Sequence, residues 1–114
     1  MKTVMLGVAS REDASRRFIQ AMETGKAQGS YITFETPADL WKTITAKRWD
    51  LLKAMTGAGP LSIREASRRV GRDVKAVHGD VHALLNCGIL SRTDDGQIVF
   101  PFDQVHVDFM LAAA

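Results

Sequence analysis

Ser62-Ile63-Arg64-Glu65-Ala66-Ser67-Arg68-Arg69-Val70-Gly71-Arg72-Asp73-Val74-Lys75-Ala76-Val77-His78-Gly79-Asp80-Val81-His82-Ala83-Leu84-Leu85-Asn86-Cys87-Gly88 is the run on which the fold turns. Ser62 with Glu65 three residues later is a capping-box pattern, in which a hydroxyl satisfies a first-turn backbone N–H. Ile63, Ala66 and Val70 then recur at helical spacing, and Gly71 supplies the stop. Asp73 stands where it can cap a second helix, whose Val74, Val77, Val81, Leu84 and Leu85 form one apolar face. Gly88 is the expected glycine just past that helix's end. Downstream, Ile89-Leu90-Ser91-Arg92-Thr93 and Gln97-Ile98-Val99-Phe100 flank Asp94-Asp95-Gly96, which predicts a hairpin closed by Pro101. Two short helices joined by a glycine-containing turn and followed at once by a hairpin predict a winged helix-turn-helix. That outline in turn predicts a sequence-specific DNA-binding regulator.

The chemistry expected of such a unit is geometric. The second helix must bury one face and leave the other free for the major groove. Opposite the valine-leucine face fall Arg72, Lys75, Ala76, Gly79, His82 and Ala83, with no acid among them. Small side chains let a helix backbone approach base edges, while Arg72 and Lys75 can bond guanine or phosphate. Gly79 in mid-helix costs about 1 kcal/mol relative to alanine, which close approach of another surface would explain. Arg64, Arg68 and Arg69 lie on the first helix, placed for backbone phosphates. His78 reads as a boundary residue that touches phosphate or is hydrogen-bonded. The hairpin tip carries Asp94 and Asp95, which phosphates repel, so Arg92 and Gln97 are left to touch the backbone from the hairpin's sides.

His78 and His82 also share a helical face, the spacing of a metal pair. The zinc-protease pattern needs glutamate directly after the first histidine, where Gly79 stands, and no third ligand is evident. No metal and no cofactor are therefore expected. Cys87 reads as a small buried hydrophobe. With no nucleophile motif and no phosphate-binding glycine loop, an enzyme is not expected.

Working upstream, Thr3 to Val8 predicts a strand with Val4, Leu6 and Val8 on one face. Ser10 opens a helix running through Thr24, with Gly25 as its stop, and Tyr31-Ile32-Thr33-Phe34-Glu35 predicts a second strand. Strand, helix and strand in that order predict a crossover unit. Thr36-Pro37 opens a further helix with Ala38, Leu40, Trp41 and Ile44, and Thr45 caps another with Trp49, Leu51, Leu52 and Met55. The breaker cluster Thr56-Gly57-Ala58-Gly59-Pro60 ends it. Trp41 and Trp49 are expected as core or interface anchors. At the far end Val105, Val107, Phe109 and Leu111 alternate with His106 and Asp108, a half-buried final strand. The expected class is α+β, a winged helix-turn-helix with an N-terminal strand–helix–strand extension. Residues 1–35 are assigned to dimerisation or toxin binding and 36–114 to DNA binding.

At 114 residues there is room for one core. The net charge of +2 conceals a gradient, since residues 61–92 carry six Lys/Arg against three Asp/Glu and residues 93–114 carry four aspartates. That leaves a basic body able to face phosphate. No apolar run reaches the ~20 residues that span a bilayer, and the opening residues are too quickly polar for a signal peptide. The one cysteine excludes an internal disulfide, so a cytoplasmic protein is expected.

The run from Gly59 to His78 resembles a family of small bacterial and archaeal winged-helix regulators. The resemblance extends to Gly88-Ile89-Leu90 with its Asp-Gly hairpin, to Pro101-Phe102-Asp103, and upstream to Ile32-Thr33-Phe34-Glu35 and Ala46-Lys47-Arg48-Trp49-Asp50-Leu51-Leu52. It covers about residues 30 to 111. It implies kinship in fold with multiple-antibiotic-resistance-type regulators, and many members look like antitoxins encoded beside a small toxin gene. Gly79 stands where members usually carry a basic residue. The expectation is thus a homodimeric repressor that binds operator DNA and acts as the autorepressing antitoxin of a type II toxin–antitoxin pair. The alternative is a winged-helix protein-interaction module that has lost DNA binding.

Overall fold

The structure, a computed structural model, describes residues 2–9, 12, 16, 19 and 30–108. Its described part is an α+β fold of four helices and two small sheets. The elements are β1 (Thr3–Val8), β2 (Ser30–Phe34), α1 (Pro37–Thr43), α2 (Ala46–Met55), α3 (Ile63–Val70), α4 (Val74–Asn86), β3 (Ser91–Arg92), β4 (Ile98–Val99) and β5 (Gln104–Asp108). The helix expected from Ser10 to Thr24 lies largely outside the described residues. Glu12, Arg16 and Ile19 are described and helical, with a Glu12–Arg16 ion pair of 3.1 Å at i,i+4 spacing. Phe109 and Leu111, expected on the last strand, also lie outside.

Local capping chemistry sets three helix starts. The Thr36 hydroxyl accepts from the Asp39 N–H at 3.1 Å, with Pro37 in the first turn. Thr45 accepts from Arg48 at 3.3 Å, and Ser62 from Glu65 at 3.1 Å. Each bond satisfies one N–H that the helix leaves unpaired. α4 differs from expectation, because Asp73 makes no side-chain cap bond. Its start is fixed instead by the preceding turn, where Gly71 ends α3 in the left-handed region at φ 67° and the Arg72 N–H donates to the Ser67 carbonyl at 3.2 Å. Only glycine enters that region at little cost. The Ser67 hydroxyl, almost fully buried, donates back to the Arg72 carbonyl and closes the turn.

The larger sheet runs β2-β1-β5, with both neighbours parallel to β1. Leu6 stands opposite Ile32 on one side and Val107 on the other. β1 is therefore a central strand, and Val4 and Leu6 are wholly buried. The register brings β5, near the end of the chain, beside β1, near its start. The core continues from Val4 and Leu6 through Leu40, Leu51, Leu52 and Met55 to Ala66, Val77, Val81 and Leu84, and on to Ile89, Ile98 and Phe100. The second sheet is the β3–β4 hairpin, with Ser91 opposite Val99 and Arg92 opposite Ile98. Leu61, just before α3, adds a bridge to Ile98 with two backbone bonds of 2.8 Å. This rung ties the entry of α3 to the hairpin.

Candidate nucleic-acid interface

α4 is held on one side and open on the other. Val77, Val81 and Leu84 are fully buried, while Lys75, Ala76, His78, Gly79 and His82 are exposed. The apolar face is shorter than the spacing predicts, because Val74 is 41% exposed at the helix start. Ala83 is half-buried at the edge of the face. An added Cβ at Gly79 would meet nothing within 4 Å, so the middle of the exposed stripe is open.

Arg72 departs from the outward placement expected of it. Its Nη1 lies 2.7 Å from Asp80 Oδ2, a close charge contact without an aligned hydrogen bond. The other oxygen, Oδ1, accepts from Arg48 Nε at 3.0 Å. The three side chains are only 21%, 22% and 14% exposed for Arg48, Arg72 and Asp80. Burial pushes the Asp80 carboxyl up, but Arg48 and Arg72 outweigh it and hold the group below the usual carboxylate range. Arg48 Nη1 also donates to the Thr43 carbonyl at 2.9 Å and the Lys42 carbonyl at 3.3 Å, closing the end of α1. Asp80 is the one acid within α4, and this arrangement turns it away from the exposed stripe. Arg48, 32 residues away, carries no sequence signal for this role.

On α3, Arg64, Arg68 and Arg69 are all exposed. Glu65 takes two of them, accepting from Arg68 Nε at 2.9 Å and Nη2 at 2.5 Å, and from Arg69 Nε at 3.2 Å. Hydrogen bonds from Arg68 and then Arg69 lower the Glu65 carboxyl to about 2. The same carboxylate raises the Arg68 guanidinium. Glu65 is thus engaged sideways along α3, and the reciprocal half of the capping box is replaced by these pairs. Arg64 and Lys75 have no carboxylate partner among the described residues. On the hairpin, Arg92 is exposed and its Nη1 donates to the Gly96 carbonyl at 3.3 Å, near the exposed Asp94 and Asp95. Cys87 is half-buried, and desolvation raises its thiol.

A second feature escaped the sequence reading. Leu40, Trp41, Ile44, Trp49 and Val107 line an apolar groove of about 510 Å³, with Trp41 57% and Trp49 37% exposed. The tryptophans are therefore surface residues and not core. Their helical spacing among leucines is the same for a wall of the core as for a wall of a groove.

These elements define an α+β protein in which α4 exposes Lys75, His78 and His82 and α3 exposes Arg64, Arg68 and Arg69. The chain belongs to the HVO_A0114 family, whose profile matches residues 43–107, more than half its length. No curated protein and no solved structure matches it. Among the described residues no helix is long and apolar enough to cross a membrane.

Proposed function

We propose that α3, the Gly71-Arg72-Asp73 turn, α4 and the β3–β4 hairpin form a winged helix-turn-helix, and that the chain is a sequence-specific DNA-binding regulator. α4 is the recognition helix in this reading. The carrying observation is the capture of Asp80 by Arg48 and Arg72, which leaves Lys75, His78 and His82 exposed with no free carboxylate within α4 itself, the exposed Asp73 standing just before its first turn. Phosphate carries one charge per ~1.7 Å of duplex, so one uncompensated acid on that stripe would oppose docking. The bridge between Leu61 and Ile98 supports the wing assignment, since it couples the hairpin to the first helix. Arg64, Arg68 and Arg69 supply phosphate contacts beside it. In keeping with the resemblance of residues 30–111, the regulator is a homodimeric, autorepressing antitoxin, and the unit that includes residues 1–35 engages the toxin or the second protomer.

The test is a gel shift on the DNA upstream of the chain's own gene, comparing wild type with Arg64→Ala/Lys75→Ala. The double variant should bind at least tenfold more weakly, and the slope of log affinity against log salt should fall by about 1 per lost phosphate contact. Equal affinity, or binding indifferent to salt, overturns the reading. The alternative, a protein-interaction module on the same frame, is favoured by the tryptophan groove and the acidic hairpin tip. It predicts a co-purifying neighbour-gene product and no retention on DNA.

A further inference from the structure

The two histidines of α4 form a geometry that the DNA reading does not require. His78 and His82 are exposed, one turn apart, with ring centroids 4.2 Å apart and their Nε2 atoms 3.1 Å apart. Side chains at i and i+4 are neighbours on a helix surface, so the backbone itself brings the rings together. A tetrahedral ion with N–metal bonds of about 2.0–2.1 Å sets two imidazole nitrogens about 3.3 Å apart. Adjacent positions of a square or octahedral ion set them about 2.9 Å apart. The observed spacing lies between these values. With neither ring protonated at Nε2 both nitrogens are acceptors, and since both side chains are exposed and Gly79 between them has open space where a side chain would stand, an ion reaches the pair from solvent.

We propose that His78 and His82 chelate one divalent transition-metal ion on the exposed face of α4. Among the described residues no group of three or more His, Cys, Asp or Glu is placed to hold a metal. The protein therefore contributes two nitrogens, and water fills the remaining positions. An all-imidazole donor pair selects Cu²⁺, Ni²⁺ and Zn²⁺ and disfavours Mg²⁺ and Ca²⁺, which prefer oxygen. The nearest candidate acid in sequence, Asp80, is committed to Arg48 and Arg72 and does not complete the site.

Isothermal titration of Ni²⁺ and Zn²⁺ into the untagged full chain, without DNA, tests the site. Saturable one-to-one binding is expected, at least tenfold weaker in His78→Ala and in His82→Ala. His106→Ala should match wild type, because His106 lies on β5 and forms no three-ligand group with the pair. The two nitrogens are held side by side only when the helix is formed, so Ni²⁺ should raise the Tm of wild type and not of His82→Ala. Far-UV circular dichroism checks that each variant is folded. Equal affinity in wild type and His82→Ala, or no saturable binding below millimolar metal, overturns the proposal. Because no DNA is present, failure here leaves the regulator reading standing, and failure of the gel shift leaves the chelate standing.

Discussion

Asp80 sits between Arg48 and Arg72 with 14% of its side chain exposed, so replacing it with asparagine leaves two part-buried guanidiniums facing a neutral amide. Removing one partner of a fully buried pair costs about 3–5 kcal/mol, and partial exposure lowers this to about 2 kcal/mol for Asp80→Asn, read by urea denaturation at pH 7. The folded carboxyl titrates below its ordinary 3.8, so its contribution is present above about pH 4 and is lost as pH falls through the lower folded value. Stability measured from pH 5 down to pH 2 should therefore fall more gently in Asp80→Asn than in wild type. A parallel slope in the two proteins would show that Asp80 is not the titrating group. Nothing in the spacing of residues 48, 72 and 80 announces this cluster. The sequence assigns Asp80 no role, and it places Arg72 as an outward cation.

At the scale of the element, two glycines of the helical pair behave in opposite ways. Gly79 is helical with open space around it, so Gly79→Ala should raise stability by about 1 kcal/mol. Gly71 caps α3 at φ 67°, and Gly71→Ala should lower stability by about 1–2 kcal/mol through the left-handed backbone alone. Thermal melts of the two variants should shift in opposite directions, and a shared sign would refute the account. If α4 enters a groove, Gly79→Ala should also weaken DNA binding while stabilising the fold, a combination that a plain surface position would not give. The helix starts at Thr36, Thr45 and Ser62 were legible because a cap is a bond within four residues. Asp73 had the right type and position yet makes no cap bond, since the Gly71 turn and Ser67 already set the start of α4.

For the whole molecule, the parallel pairing of β1 with both β2 and β5 joins the two ends of the described chain in one sheet. Val4 and Leu6 belong to the same buried cluster as Leu84 and Ile98. Leu6→Ala should then cost about 2–5 kcal/mol. Tryptophan fluorescence and far-UV circular dichroism should report one coincident unfolding transition, before and after the substitution. Separate transitions would mean that the strands at the chain's start fold apart from the helices. The sequence alone determined the described elements, their order and most helix ends, because hydrophobic period, capping and turn chemistry act within a few residues. It also marked Lys75, Ala76, Gly79 and His82 as the exposed stripe of α4, but not the inward turn of Arg72. Only the tertiary structure decided that β5 lies beside β1, that Asp80 is shared by Arg48 and Arg72, and that Trp41 and Trp49 line a groove. Those outcomes join residues from 8 to about 100 positions apart, and packing among distant parts of the chain selects such partners.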